Sequence, residues 1–194
     1  LNVLNLGQGG NGPLTELAIL KEYVQLIKTK KILWIYSNND LDDLESEKQG
    51  TLTRYITSDK NHNLHKRQSE IDQIYLDYQK RYNSKSQFNF MSILKLLKFR
   101  MILIERRLTN KYEHNINKYN FLINQDLKNI LSIAKDITEK NNQDFYFIYL
   151  PGMENFYPKR YADTYKKVND LKPKVFKVVE DLEINIIDLE KHLK

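Results

Sequence analysis

The chain has 194 residues, a formal net charge of +6, 41% hydrophobic and 29% charged residues, six Gly, four Pro and no Cys. Those values suit one folded domain with a core and exclude a disordered or collagen-like chain. The missing thiols exclude disulfides, cysteine nucleophiles and thiolate metal sites.

In chain order, Val3 to Leu6 is the first apolar run, and it reads as a strand. The glycine turn Gly7-Gln8-Gly9-Gly10-Asn11-Gly12 follows. Pro13 suits the first position of a helix striped by Leu14, Leu17, Ala18, Leu20, Tyr23, Val24 and Ile27. A second strand is expected over Ile32 to Tyr36, running into Ser37-Asn38-Asn39-Asp40. Asp40, Asp42, Asp43, Glu45 and Glu47 suit the opening turns of a helix, with Asp40 a candidate N-cap.

Residues 41–142 read as a helical insertion or lid. Ile71, Ile74, Tyr75 and Tyr78 form one stripe there, and Phe121 to Ile137 another. Met91 to Leu108 is apolar on more than one face, which suits a helix packed on two sides. Its basic residues also allow contact with a membrane surface. Charges at Lys95, Lys98, Arg100 and Glu105 break it, so it is a poor membrane span. Residues 80–111 hold nine Lys or Arg against Glu105 alone, so the excess positive charge belongs to this insertion. No nucleic-acid recognition motif is present, and no nucleic-acid partner is expected.

Strands are expected again at Phe145 to Leu150 and Ile184 to Ile187, separated by a helix from Tyr161 to Glu180 that Pro173 should disturb or divide. All four strand candidates are nearly continuous in apolar residues, as strands buried on both faces are. The alternation predicts an α/β fold with a parallel sheet.

The glycine turn has two readings. Gly7, Gly9 and Gly12 fit the dinucleotide fingerprint, a Rossmann-like nucleotide site. The fingerprint also wants an acid ending the second strand, and Asn38 and Asn39 stand before Asp40. In the other reading the two turns work together. A glycine turn after one strand and an Asn-Asp turn after the next resemble the second and third sequence blocks of the SGNH (GDSL-type) hydrolase superfamily. Asn39-Asp40-Leu41-Asp42-Asp43-Leu44 is similar to a subgroup whose block reads E-N-D-x-x-D-L, with Asn38 in place of the glutamate. Leu52 to Ile56, Gln68 to Asp72 and Tyr149 to Gly152 are looser matches.

The resemblance implies a three-layer α/β/α, flavodoxin-like fold and an esterase, acyl hydrolase or O-acyltransferase acting on a small-molecule or carbohydrate acyl ester. It implies the Gly10 N–H and the Asn39 amide as oxyanion donors, Asp40 as their support, and no cofactor or metal. Fixed donors are the chemistry such a reaction needs, because an attacked carbonyl becomes an oxyanion. The family's serine block precedes the glycine turn, and its D-x-x-H block follows the last strand. This chain opens at Leu1, and Asp188-Leu189-Glu190-Lys191-His192 is one residue too long. The 194 residues therefore read as one α/β domain, incomplete at both ends, with nucleophile and base outside. By itself the chain is expected to hydrolyse nothing. A non-catalytic carbohydrate-binding or assembly protein on the same fold is the other alternative.

Ser37 lacks an evident base and reads as a turn residue. His62 and His65 lack a third metal ligand. Phe156 and Tyr157 suit core cover or a substrate entrance. Neither compartment nor oligomeric state is legible.

Overall fold

A computed structural model describes residues 3–26, 28–58, 62–84 and 116–193. They fall in two compact units. One combines residues 1–63 and 115–194, and the other is 64–114.

The first unit is a mixed α/β structure built on a three-stranded parallel sheet. Its strands are β1 (Lys31–Ser37), β2 (Asp144–Leu150) and β3 (Asn185–Asp188), in the order β1-β2-β3. Trp34 lies opposite Phe147 and Tyr36 opposite Tyr149; Phe147 in turn faces Ile186, and Tyr149 faces Asp188. The helices are α1 (Pro13–Tyr23), α2 (Asp40–Glu47), α3 (Arg54–Thr57), α5 (Ile116–Phe121), α6 (Lys128–Lys140), α7 (Met153–Phe156), α8 (Ala162–Asp181) and α9 (Glu190–Leu193). In the second unit, α4 (Gln68–Ser84) carries the predicted stripe. There Ile74, Tyr75 and Tyr78 are exposed.

The core lies on one face of the sheet. Trp34, Tyr36, Phe145, Phe147 and Tyr149 point into it. Against them pack Leu14 and Leu17 of α1, Leu41 and Leu44 of α2, Ile130 and Leu131 of α6, and Val175 and Val179 of α8. The aromatic rings mesh, with Tyr36 and Phe147 centroids 5.3 Å apart and Trp34 meeting Phe145 edge-on at 5.9 Å. On the other face Leu33 and Ile35 are 55% and 50% exposed. The architecture is compatible with a three-layer α/β/α fold. Burial on both faces, the expectation from continuous apolar runs, does not hold for β1 among the described residues.

Three further expectations are corrected. Val3 to Leu6 is not a strand: the segment is exposed and pairs with none of the three strands. Apolar character alone does not make a strand without a neighbouring edge to bond. Pro173 does not divide α8, which runs unbroken from Ala162 to Asp181. Proline forfeits one helical hydrogen bond, and here the buried stripe Leu171, Val175, Val178 and Val179 holds the helix across it. Asp40 is not the N-cap of α2; Asn39 occupies that position, with no side-chain cap bond.

Between α5 and α6 the chain widens into a π-helical stretch, Leu122–Leu127, which buries Leu122, Ile123 and Leu127 together. The expected helix at 91–108, with its membrane contact, lies outside the described residues. Among the described residues no helix is long and apolar enough to cross a membrane.

The one-sided core sets an expectation for stability. Phe147→Ala should lower the unfolding free energy by about 3–5 kcal/mol, and Ile35→Ala by roughly 0.5 kcal/mol. Urea unfolding of both variants checks this. Equal losses would mean that the face bearing Ile35 is packed as tightly as the core.

Candidate functional site

The site is built where the glycine turn meets the carboxyl end of β1. An α-helix begins with orphan N–H donors and a partial positive charge. At α1 these donors converge on one carboxylate, that of Glu47 at the far end of α2. Oε1 accepts from the Gly12 N–H at 2.8 Å and the Thr15 N–H at 3.3 Å, and Oε2 accepts from the Leu14 N–H at 2.9 Å. The Thr15 hydroxyl donates to Oε1 as well. Pro13 has no N–H to offer, so Glu47 takes every backbone donor from Gly12 to Thr15.

This contact explains Gly12. A Cβ there would lie 2.8 Å from the Asp43 Cβ and 2.8 Å from Glu47 Oε2. The glycine lets α2 close on the turn, and a pyrophosphate would find the helix donors already taken. The nucleotide reading through Gly7, Gly9 and Gly12 loses its physical basis here. Gly10 is different. It has φ +86°, a Cβ would meet nothing within 4 Å, and its N–H has no partner among the described residues. Left-handed backbone favours glycine, and the exposed N–H is open to a ligand.

The Asn turn joins the glycine turn through Asp43, which packs against Gly12. The Asn39 amide nitrogen donates to Asp43 Oδ2 at 2.5 Å, and its Oδ1 accepts from the Ser37 hydroxyl at 2.6 Å. Asp43 takes one amide hydrogen and leaves the other. Since Gly12 abuts Asp43 and Asp43 holds Asn39, the two turns form one connected unit. Ser37 Oγ also lies 2.6 Å from Asp40 Oδ1, and the Ser37 N–H donates to Asp40 Oδ2 at 3.1 Å.

Electrostatics here favour protons. Asp40 is buried, and burial pushes its carboxyl up to about 7. The Ser37 bonds pull it down, and the charges of Asp43 and Glu47 raise it. Glu16 of α1 is raised well above the carboxylate range by burial, then by Asp40 and Glu47. Its Oε2 is buried without a hydrogen bond. Burial also raises Asp43, against the lowering by Asn39.

Sequence reasoning missed the neighbours on the other side. The Asn38 amide donates to Asn155 Oδ1 at 2.8 Å and to Glu154, and accepts from the Tyr149 hydroxyl at 2.5 Å. That ties the turn after β1 to the turn after β2. Lys172 pairs with Asp188 at 2.9 Å and Glu190 at 2.8 Å and lies 4.1 Å from the centre of the Tyr149 ring. The Asn38 links join residues over a hundred positions apart, and no local spacing signals them.

Among the described residues of this unit no catalytic triad is assembled. The polar side chains that bond the Ser37 hydroxyl are Asn39 and Asp40, not a histidine. His62 meets the Tyr55 ring edge-on and its backbone N–H donates to Glu22; His192 is exposed on α9. Asp188 accepts from Lys172 and from the Glu190 N–H. Phe156 and Tyr157 are exposed. Among the described residues no cluster of His, Asp and Glu could hold a metal ion.

No protein-family model, curated protein or solved structure matches the chain.

The raised Asp40 carboxyl makes stability depend on pH. An unfolded aspartate ionises near 3.9, about three units lower. Between the two values the folded state keeps a proton that the unfolded state has released. Stability should therefore fall as pH rises from about 4 to about 7 and level off above that. Thermal melts of wild type and Asp40→Asn check this: the variant should be flatter across the window and gain relative stability above pH 7. Parallel curves would show that Asp40 ionises normally in the folded chain.

Proposed function

We propose that the chain is the oxyanion-binding part of an SGNH-type acyl-ester hydrolase or O-acyltransferase. The Gly10 N–H and the free hydrogen of the Asn39 amide receive the oxygen of the attacked carbonyl, and Asp40 supports them through Ser37. The nucleophilic serine and the histidine base come from polypeptide outside this chain. The substrate is a small-molecule or carbohydrate acyl ester.

One observation carries this reading: a glycine turn, whose Gly10 N–H has no partner among the described residues, is joined through Asp43 to an asparagine turn at the carboxyl end of a parallel strand. Ligands of open α/β sheets bind outside those ends. An oxyanion needs neutral donors held in place before the reaction, so that reorganisation costs little. Gly10 offers its N–H with no side chain in the way, and Asn39 offers an amide fixed by Ser37 and Asp43. Neither donor brings a charge that would hold the product.

The test is ester turnover by the polypeptide that the whole gene encodes. Asn39→Ala should lower kcat on an acyl ester by about 10²–10³-fold, the usual cost of removing one oxyanion donor, with KM nearly unchanged. Full activity in the variant would overturn the assignment. An intact gene product that binds an acylated sugar and turns over no ester would favour the non-catalytic alternative.

A further inference from the structure

The polar chain Asp40–Ser37–Asn39–Asp43 contains a hydrogen count that geometry constrains. Ser37 Oγ lies 2.6 Å from Asn39 Oδ1 and 2.6 Å from Asp40 Oδ1, both within O–H···O range. A serine hydroxyl has one hydrogen. Two acceptors at that distance leave one oxygen–oxygen contact without a proton, unless a neighbour supplies it.

The far end of the chain decides which neighbour. An ionised Asp43 only accepts, so Asn39 must show it the NH₂ group, as observed at 2.5 Å. Asn39 Oδ1 then faces Ser37 and needs the serine hydrogen. That leaves Ser37 Oγ as an acceptor toward Asp40, and Asp40 must carry the proton. Its other oxygen stays free to accept the Ser37 N–H at 3.1 Å.

We propose that Asp40 is a proton-holding positioning residue, which fixes the Asn39 amide through Ser37 only while its carboxyl is protonated. The inference rests on the reading of Asn39 as an oxyanion donor. When Asp40 ionises, the serine hydrogen turns to the carboxylate, where a charge-assisted bond is stronger. Asn39 Oδ1 then loses its donor, and the amide keeps a single anchor at Asp43. The site works below the ionisation of Asp40 and weakens above it.

The surroundings agree from every side. Ser37 and Tyr36 face Asp40 from β1, Glu16 from α1, and Asp43 and Glu47 from α2. All are neutral or acidic. Lys167 of α8 is committed to Asp42, at 2.9 and 2.8 Å from its two oxygens.

NMR on the 194-residue chain tests this without substrate. The Asp40 carboxyl carbon should titrate near 7, and the Asn39 side-chain NH₂ resonances should move with the same midpoint. Ser37→Ala should uncouple the two, Ser37→Thr should restore the coupling, and Asp40→Asn should remove the Asn39 titration. An Asp40 already ionised at pH 5, or Asn39 resonances that ignore its midpoint, would overturn the proposal. So would coupling that survives in Ser37→Ala. A relay that fails while Asn39 is still needed for ester turnover sinks this inference alone. An intact relay with a dispensable Asn39 sinks the ester reading alone.

Discussion

The carboxylate of Glu47 at the start of α1 is the contact on which the rest of the site depends. It joins two elements that ordinary packing would leave free to slide. α1 supplies donors that need an acceptor, and α2 supplies an acceptor that is better placed at a helix N-terminus than at its own C-terminus. Once the bonds from Gly12, Leu14 and Thr15 form, α2 is fixed in height and rotation against the glycine turn. Asp43, one turn earlier on α2, is then placed against Gly12, and Asn39 is placed by Asp43. A helix-capping device thereby becomes the frame of the glycine and asparagine turns.

The same closure explains the unusual charge state. Bringing α2 onto α1 places Glu16, Asp40, Asp43 and Glu47 within electrostatic reach of one another. Glu47 is compensated by helix donors. Asp40 and Glu16 have no comparable compensation, so burial and mutual repulsion raise their ionisation above the usual carboxylate range. Burying acids costs stability, and the return is a neutral, hydrogen-bonded scaffold beneath Asn39.

The sheet was legible because β1, β2 and β3 are written as apolar runs flanked by turn residues, and α1 because Gly12-Pro13 opens a regular stripe. The glycine and asparagine turns stood out for the same local reason. One-sided burial was not legible. Tyr36 and Tyr149 look like any apolar position, yet they carry hydroxyls and define the covered face, while the aliphatic Leu33 and Ile35 face outward. Val3 to Leu6 misled because strand character is a property of a pair of chains. Glu47 read as one acid among five, since its function depends on donors more than thirty residues away. Proton sharing at Ser37 needed distances, because a sequence shows which groups exist and not which oxygens meet.

Glu47 holding the two turns as one unit is the central structural claim. The direct measurement is a comparison of amide and side-chain resonances in wild type and Glu47→Ala, with hydrogen exchange on both. The account requires faster exchange at Gly12, Leu14 and Thr15, together with displaced or broadened signals from the Gly10 N–H and the Asn39 NH₂ group. Changes confined to the first turn of α1, with Gly10 and Asn39 untouched, would contradict it.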